Sequence, residues 1–156
     1  MKLRMLTLLC GVLLLVPLGV GADSGDASDN PWNQQAKPEQ VTADYDAGYR
    51  HLKAGNYKAA IKAFKRVVRA NENHAMAYTN MAYSYRKLGK YRRAVKLYNK
   101  ALAIDPNLAE AHEYIGEALL ALGKIDAAKK HLAILEKLNP KLAAELRADI
   151  ARNDRS

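Results

Sequence analysis

From Val41 to the end of the chain, apolar residues recur at three- and four-residue intervals, as in Ile61, Phe64, Val67 and Val68, with lysines, arginines and other polar side chains between them. That is the period of helices that each bury one stripe. The pattern predicts helices over about 42–54, 57–70, 75–88, 91–104, 109–122 and 125–138. A seventh is predicted near Lys141–Arg152, where Leu142, Leu146 and Ile150 recur every four residues among charged neighbours. Two earlier segments differ. Residues 5–16 are apolar almost throughout, and residues 23–40 are polar, with Pro31, Pro38 and a lone large apolar residue, Trp32. Such a stretch cannot bury enough surface to offset the entropy of ordering, so 23–40 reads as a flexible tether.

The helical part repeats itself. Val41–His74, Ala75–Leu108 and Ala109–Leu142 align without a gap, and like residues fall into columns. Gly48, Ala82 and Gly116 share the eighth column, and Gly55, Gly89 and Gly123 the fifteenth. Tyr57, Tyr91 and Ile125 follow, then Ala60, Ala94 and Ala128, then Phe64, Tyr98 and Leu132, then Val67, Ala101 and Leu135. Asp105-Pro106 and Asn139-Pro140 close the second and third units, where proline ends one helix and starts the next. The fifteenth-column glycines are placed to end the first helix of each pair. The eighth column is expected to lie against alanine of the twentieth, where antiparallel helices approach closely. This arrangement resembles the tetratricopeptide repeat, whose period is 34 residues. The resemblance implies an all-α, right-handed superhelical solenoid of three helix pairs over 41–142. Residues 143–156 would supply a capping helix that closes the last apolar face. Repeat one has no such cap. Asp44 stands where Tyr78 and His112 stand, and His51 where Tyr85 and Leu119 stand. Repeat one is therefore expected to be the least stable unit or to be covered by another molecule, and stacking through it would give a homodimer.

The apolar start carries an address. Lys2 and Arg4 precede the run, Pro17 and Gly19 break it, and Val20-Gly21-Ala22 offers small residues for a signal peptidase. That order predicts a secretory signal over 1–22, cleaved after Ala22. An uncleaved membrane anchor is the competing reading, against which Pro17 and the glycines argue. Cys10 is the only cysteine, so the exported chain would have neither a disulfide nor a thiolate metal site. A cysteine-free exported helical domain suits a periplasm.

Charge and chemistry narrow the function. Residues 41–156 hold 22 basic and 12 acidic side chains, whereas 23–40 hold four acids against Lys37. The four histidines do not pair at metal-binding helical spacing, and His112-Glu113 lacks the second histidine of a zinc motif. No nucleophile elbow or phosphate-cradling loop occurs. The sequence thus calls for no enzyme, no cofactor and no metal, and points to binding.

In the resembled family, the first helices of successive units line a concave groove. Carried over by column, the contact residues are Thr42, Tyr45, Tyr49, Leu52 and Lys53 in repeat one. They are Met76, Thr79, Asn80, Tyr83, Arg86 and Lys87 in repeat two, and Glu110, Glu113, Tyr114, Glu117 and Leu120 in repeat three. The implied trough is tyrosine-lined, basic around Arg86-Lys87 and acidic around Glu110-Glu113-Glu117, and suits a protein or peptide partner. Chaperone-binding members clamp a C-terminal carboxylate with lysine, asparagine and arginine. Here Asn80 keeps its column, but Tyr45, Tyr49, Glu110 and Tyr114 fill the others. A clamp is not expected. The second helices carry Lys58, Lys62, Lys65, Arg66 and Arg69, then Lys90, Arg92, Arg93, Lys96 and Lys100. This outer face is the alternative site, for an anionic envelope surface or for self-assembly. Nucleic acid is disfavoured because export removes access to it and no base-stacking motif occurs.

Overall fold

A computed structural model describes residues 37–154; the predicted signal and the stretch 23–36 lie outside the described residues. Among the described residues there are seven helices and no strand: α1 (Pro38–Lys53), α2 (Tyr57–Ala70), α3 (Ala75–Lys87), α4 (Tyr91–Ile104), α5 (Ala109–Leu120), α6 (Ile125–Leu138) and α7 (Pro140–Asn153). None of these helices is long and apolar enough to cross a membrane.

Only the start of α1 departs from the sequence pattern by more than two residues. The helix takes in Pro38, Glu39 and Gln40, which their polarity assigns to the tether. Pro38 stands at the helix start, where its fixed φ is already helical and its missing N–H costs nothing. Glu39 lies in the first turn, where the helix dipole favours an acid, and the Thr42 hydroxyl donates to the Pro38 carbonyl at 3.1 Å. An exposed first turn leaves no trace in the apolar period.

Each helix pairs with the next, and α1, α3, α5 and α7 also touch one another in succession, whereas α2, α4 and α6 do not. Contact on one side and separation on the other bend the stack, leaving α1, α3, α5 and α7 on its concave side. The core runs along the stack through Phe64, Val67, Tyr98, Ile115, Leu135 and Leu146, all fully buried. Gly55, Gly89 and Gly123 adopt φ of 74°, 69° and 69°, which only glycine holds without strain, so the chain turns after the first helix of each pair. Asn139 takes extended backbone and caps α7, its side chain accepting from the N–H groups of Lys141 and Leu142 at 3.2 Å each.

The eighth column is explained by larger neighbours than the sequence suggests. A Cβ on Gly48 would lie 2.7 Å from the Phe64 ring, and one on Gly116 would lie 2.6 Å from Leu146 of α7. The atoms nearest these two positions belong to a ring and to the capping helix, not to the alanines of the twentieth column. α7 therefore closes the stack by driving Leu146 against the space that Gly116 leaves.

The fourth column holds three different side chains, and each finds its own partner. Asp44 accepts from Arg66 Nε at 2.9 Å and Nη2 at 2.7 Å, which holds its carboxyl below the usual range. Lys100 Nζ lies 5.5 Å from the centre of the Tyr78 ring. His112 donates from Nε2 to the Pro106 carbonyl, so its Nδ1 accepts from His131 Nδ1, both at 2.9 Å. Burial, and then the neighbouring His112, press the His131 pKa down to about 4 and keep the His131 ring neutral.

Candidate functional site

A groove of about 430 Å³ opens on the concave side, lined by Tyr49, Leu52, Lys53, Tyr57, Met76, Thr79, Asn80, Tyr83, Glu110 and Tyr114. Helical spacing explains how one face of each inner helix reaches it. Tyr49, Leu52 and Lys53 share a face of α1; Met76, Thr79, Asn80 and Tyr83 share one of α3; Glu110 and Tyr114 share one of α5. The apolar wall is unusually open for such residues, with Tyr49 exposed to 46% and Met76 to 42%. The rings run in a chain: Tyr57 meets Tyr83 at 6.5 Å, and Tyr83 meets Tyr114 edge-on at 5.2 Å. Tyr57 was missed by column reasoning. It opens a second helix and occupies an apolar column, and no sequence signal turns it inward.

Several expected contact residues serve the fold as well as, or instead of, the groove. Asn80 Nδ2 donates to the Tyr45 hydroxyl at 3.0 Å, and Tyr45 stacks on His74 at 5.0 Å and meets Phe64 edge-on. Tyr45 thus braces repeat one against repeat two, and burial raises its phenol pKa. Thr79 is only 3% exposed, and its hydroxyl donates to the Ala75 carbonyl. Leu120 is buried in the core.

Arg86 is the largest correction. It does not line the groove. Its guanidinium lies 5.0 Å from the centres of both the Tyr83 and Tyr114 rings and pairs with Glu117 across α3 and α5. With its charge satisfied there, the groove is not basic around Arg86. Lys87 is exposed beside the Tyr83 ring, 6.0 Å from its centre. Behind Arg86 the Tyr98 hydroxyl is buried, and burial pushes its pKa well up, against the opposing pull of the Arg86 guanidinium beside it.

Glu113 also leaves the groove. It is 8% exposed, and burial pushes its pKa up to about 7, helped by Glu117 beside it and Glu145 of α7. A carboxyl of that kind is half protonated near neutrality and suits a hydrogen bond to Glu145 rather than a contact with a ligand. The groove that remains is therefore aromatic and nearly neutral, with Lys53 and Glu110 as its formal charges.

The arrangement offers flat rings and an exposed thioether, surfaces suited to apolar contact with a peptide. It defines a helical-repeat binding scaffold. A family model described as "TPR repeat" matches residues 82–123, and one described as "Tetratricopeptide repeat" matches 45–74. The chain is 30% identical to the second such domain of human RPAP3, solved in complex with an HSP70 peptide, over 72% of this chain and 96% of that one, with a TM-score of 0.69. The chain belongs to the tetratricopeptide repeat family. The first TPR of Spaghetti (RPAP3), bound to an HSP90 peptide, is 26% identical over 79% of this chain and 99% of that one, with a TM-score of 0.71. PcrH, in complex with the chaperone binding region of PopD, shares the fold at 21% identity and a TM-score of 0.71, over 77% of this chain and 95% of that one. No curated protein matches the sequence.

Proposed function

We propose that this protein is an exported, non-enzymatic adaptor that holds an internal segment of a partner protein in its tyrosine-lined groove. The observation that carries the reading is the exposure of Tyr49 and Met76 on either side of a concavity otherwise built from half-buried rings. Large apolar side chains left open in a packed stack are sites for burial by a partner. Peptide complexes of similar domains support the kind of ligand. The columns argue for an internal segment and against a chain terminus: Glu110 and Tyr114 occupy clamp positions where a carboxylate needs cations, and Asn80 is engaged by Tyr45.

Export is part of the proposal and rests on the order of positive, apolar and small residues over 1–22. N-terminal sequencing of the protein recovered from an envelope fraction should start at Asp23; a start at Met1 in the same fraction would replace cleavage with an anchor. For the groove, a photo-crosslinking amino acid placed at Tyr49 should trap a partner, and Tyr49→Ala with Met76→Ala should abolish its capture while helicity is retained. Undiminished capture by that double variant would move the function away from the groove.

A further inference from the structure

Between Tyr57 and Ile104 the chain has twelve lysines and arginines and one carboxylate, Glu72, which lies in a loop. Helices α2, α3 and α4 therefore contain no acid. Two of the cations are consumed elsewhere, Arg66 by Asp44 and Arg86 by Glu117. Because α2 and α4 do not touch, a second groove of about 440 Å³ lies between them, lined by none of the residues of the concave groove. Met81 and Tyr85 of α3 and Leu97 of α4 form its apolar lining, and Lys65, Arg93, Lys96 and Lys100 surround it. None of these four cations has an ion-pair partner among the described residues. Arg93 lies 5.8 Å from the ring centre of Tyr85, which lines the groove, and Lys100 lies 5.5 Å from that of Tyr78, which does not.

We propose that this outer groove is a second binding site, for an acidic segment of a partner protein that inserts an apolar side chain between flanking carboxylates. The charge calls for an anion, and the shape selects which kind. Four like charges around one concavity repel one another, and carboxylates placed among them relieve that repulsion. Met81 and Tyr85 are buried and Leu97 is partly buried, below the charged side chains, so an inorganic polyanion or a flat layer of headgroups gains little from them. An apolar side chain held between acidic neighbours uses both features. The concave groove has the opposite character, aromatic and nearly neutral, so the two sites recognise different segments.

The test uses the full chain and a fluorescein-labelled helical peptide whose single leucine face is flanked by glutamates. Anisotropy should show saturable binding at low salt that weakens steeply as salt is added. Lys96→Glu with Lys100→Glu should weaken it about tenfold or more, and the milder Lys65→Gln with Lys96→Gln by a smaller factor, with circular dichroism unchanged. Tyr49→Ala should leave the peptide affinity unaltered, which separates this site from the concave groove. Amide shifts on binding should cluster at α2 and α4. Absence of binding, equal binding by the charge-reversed variant, or competition at Tyr49 would each overturn the proposal. So would charge-dependent sedimentation with phosphatidylglycerol-containing vesicles by a protein that ignores the peptide, which would make the face a membrane site.

Discussion

Asn80 donates its side-chain amide to the phenol of Tyr45 at 3.0 Å, joining α3 to α1 on the concave side. One bond thus couples the shape of the groove to the docking of repeat one, because Asn80 lines the groove and Tyr45 packs on His74 and Phe64. Tyr45→Phe keeps the ring and removes the acceptor. It should lower stability by about 0.5–1.5 kcal/mol, the usual net worth of one hydrogen bond, as read from the midpoint of urea unfolding. An unchanged midpoint would show that water replaces the phenol without cost.

Arg86 is a structural residue. Arg86→Glu would place a third carboxylate beside Glu113 and Glu117 and remove the cation between Tyr83 and Tyr114. Leaving one partner of a mostly buried pair uncompensated costs about 3–5 kcal/mol. The expected outcome is a large drop in the thermal midpoint, greater than for the paired change Arg86→Met with Glu117→Leu. Equal losses in both would mean that ring packing, not charge, decides the site.

The capping helix buries Ala143, Leu146 and Ile150. Leu146 is fully buried and fills the space beside Gly116. Leu146→Ala should cost about 2–5 kcal/mol. Hydrogen exchange should quicken in α7 before it does in α3 and α4; uniform loss of protection would mean that the stack unfolds as one unit.

Two buried groups give opposite responses to acid. His131 has its pKa lowered from 6.5 to about 4, so the unfolded chain takes up its proton first and stability falls as pH drops below 6.5. Glu113 has its pKa raised from 4.5 to about 7, so the folded chain holds the extra proton and its contribution is lost as pH rises through 7. Between about 4.5 and 6.5 the two slopes oppose each other and stability should be nearly flat. Glu113→Gln removes one of them. That variant should lose stability on acidification from pH 6.5 to pH 4.5 by the order of 1 kcal/mol more than the parent, measured as urea midpoints across pH. A parallel pair of curves would show that Glu113 titrates alike in both states.

How much was legible in advance varied with the kind of interaction. The three glycine turns and the helices between them could be read because they rest on local backbone preference and a 34-residue period, both written along the chain. Of the residues expected in the groove, Tyr49, Met76 and Tyr114 do line it, since column position alone sets which way an inner helix presents them. Arg86 and Glu113 were expected there too, at groove columns, and the structure turns both to partners on neighbouring elements, Glu117 and Glu145. Column position gives the direction of a side chain; it says nothing of whether a charge across the gap claims it.

The sequence by itself determined the repeat, its register, the number of inner and outer helices, and the basic excess of the outer ones, because each follows from residue type and spacing. Only the tertiary structure decided which charges remain available. Arg66 and Arg86 are neutralised by Asp44 and Glu117, at separations of 22 and 31 residues, while Lys65, Lys96 and Lys100 meet no carboxylate among the described residues. Ion pairing depends on distance in space, falling off over a few ångströms, and that distance exists only once the helices have stacked.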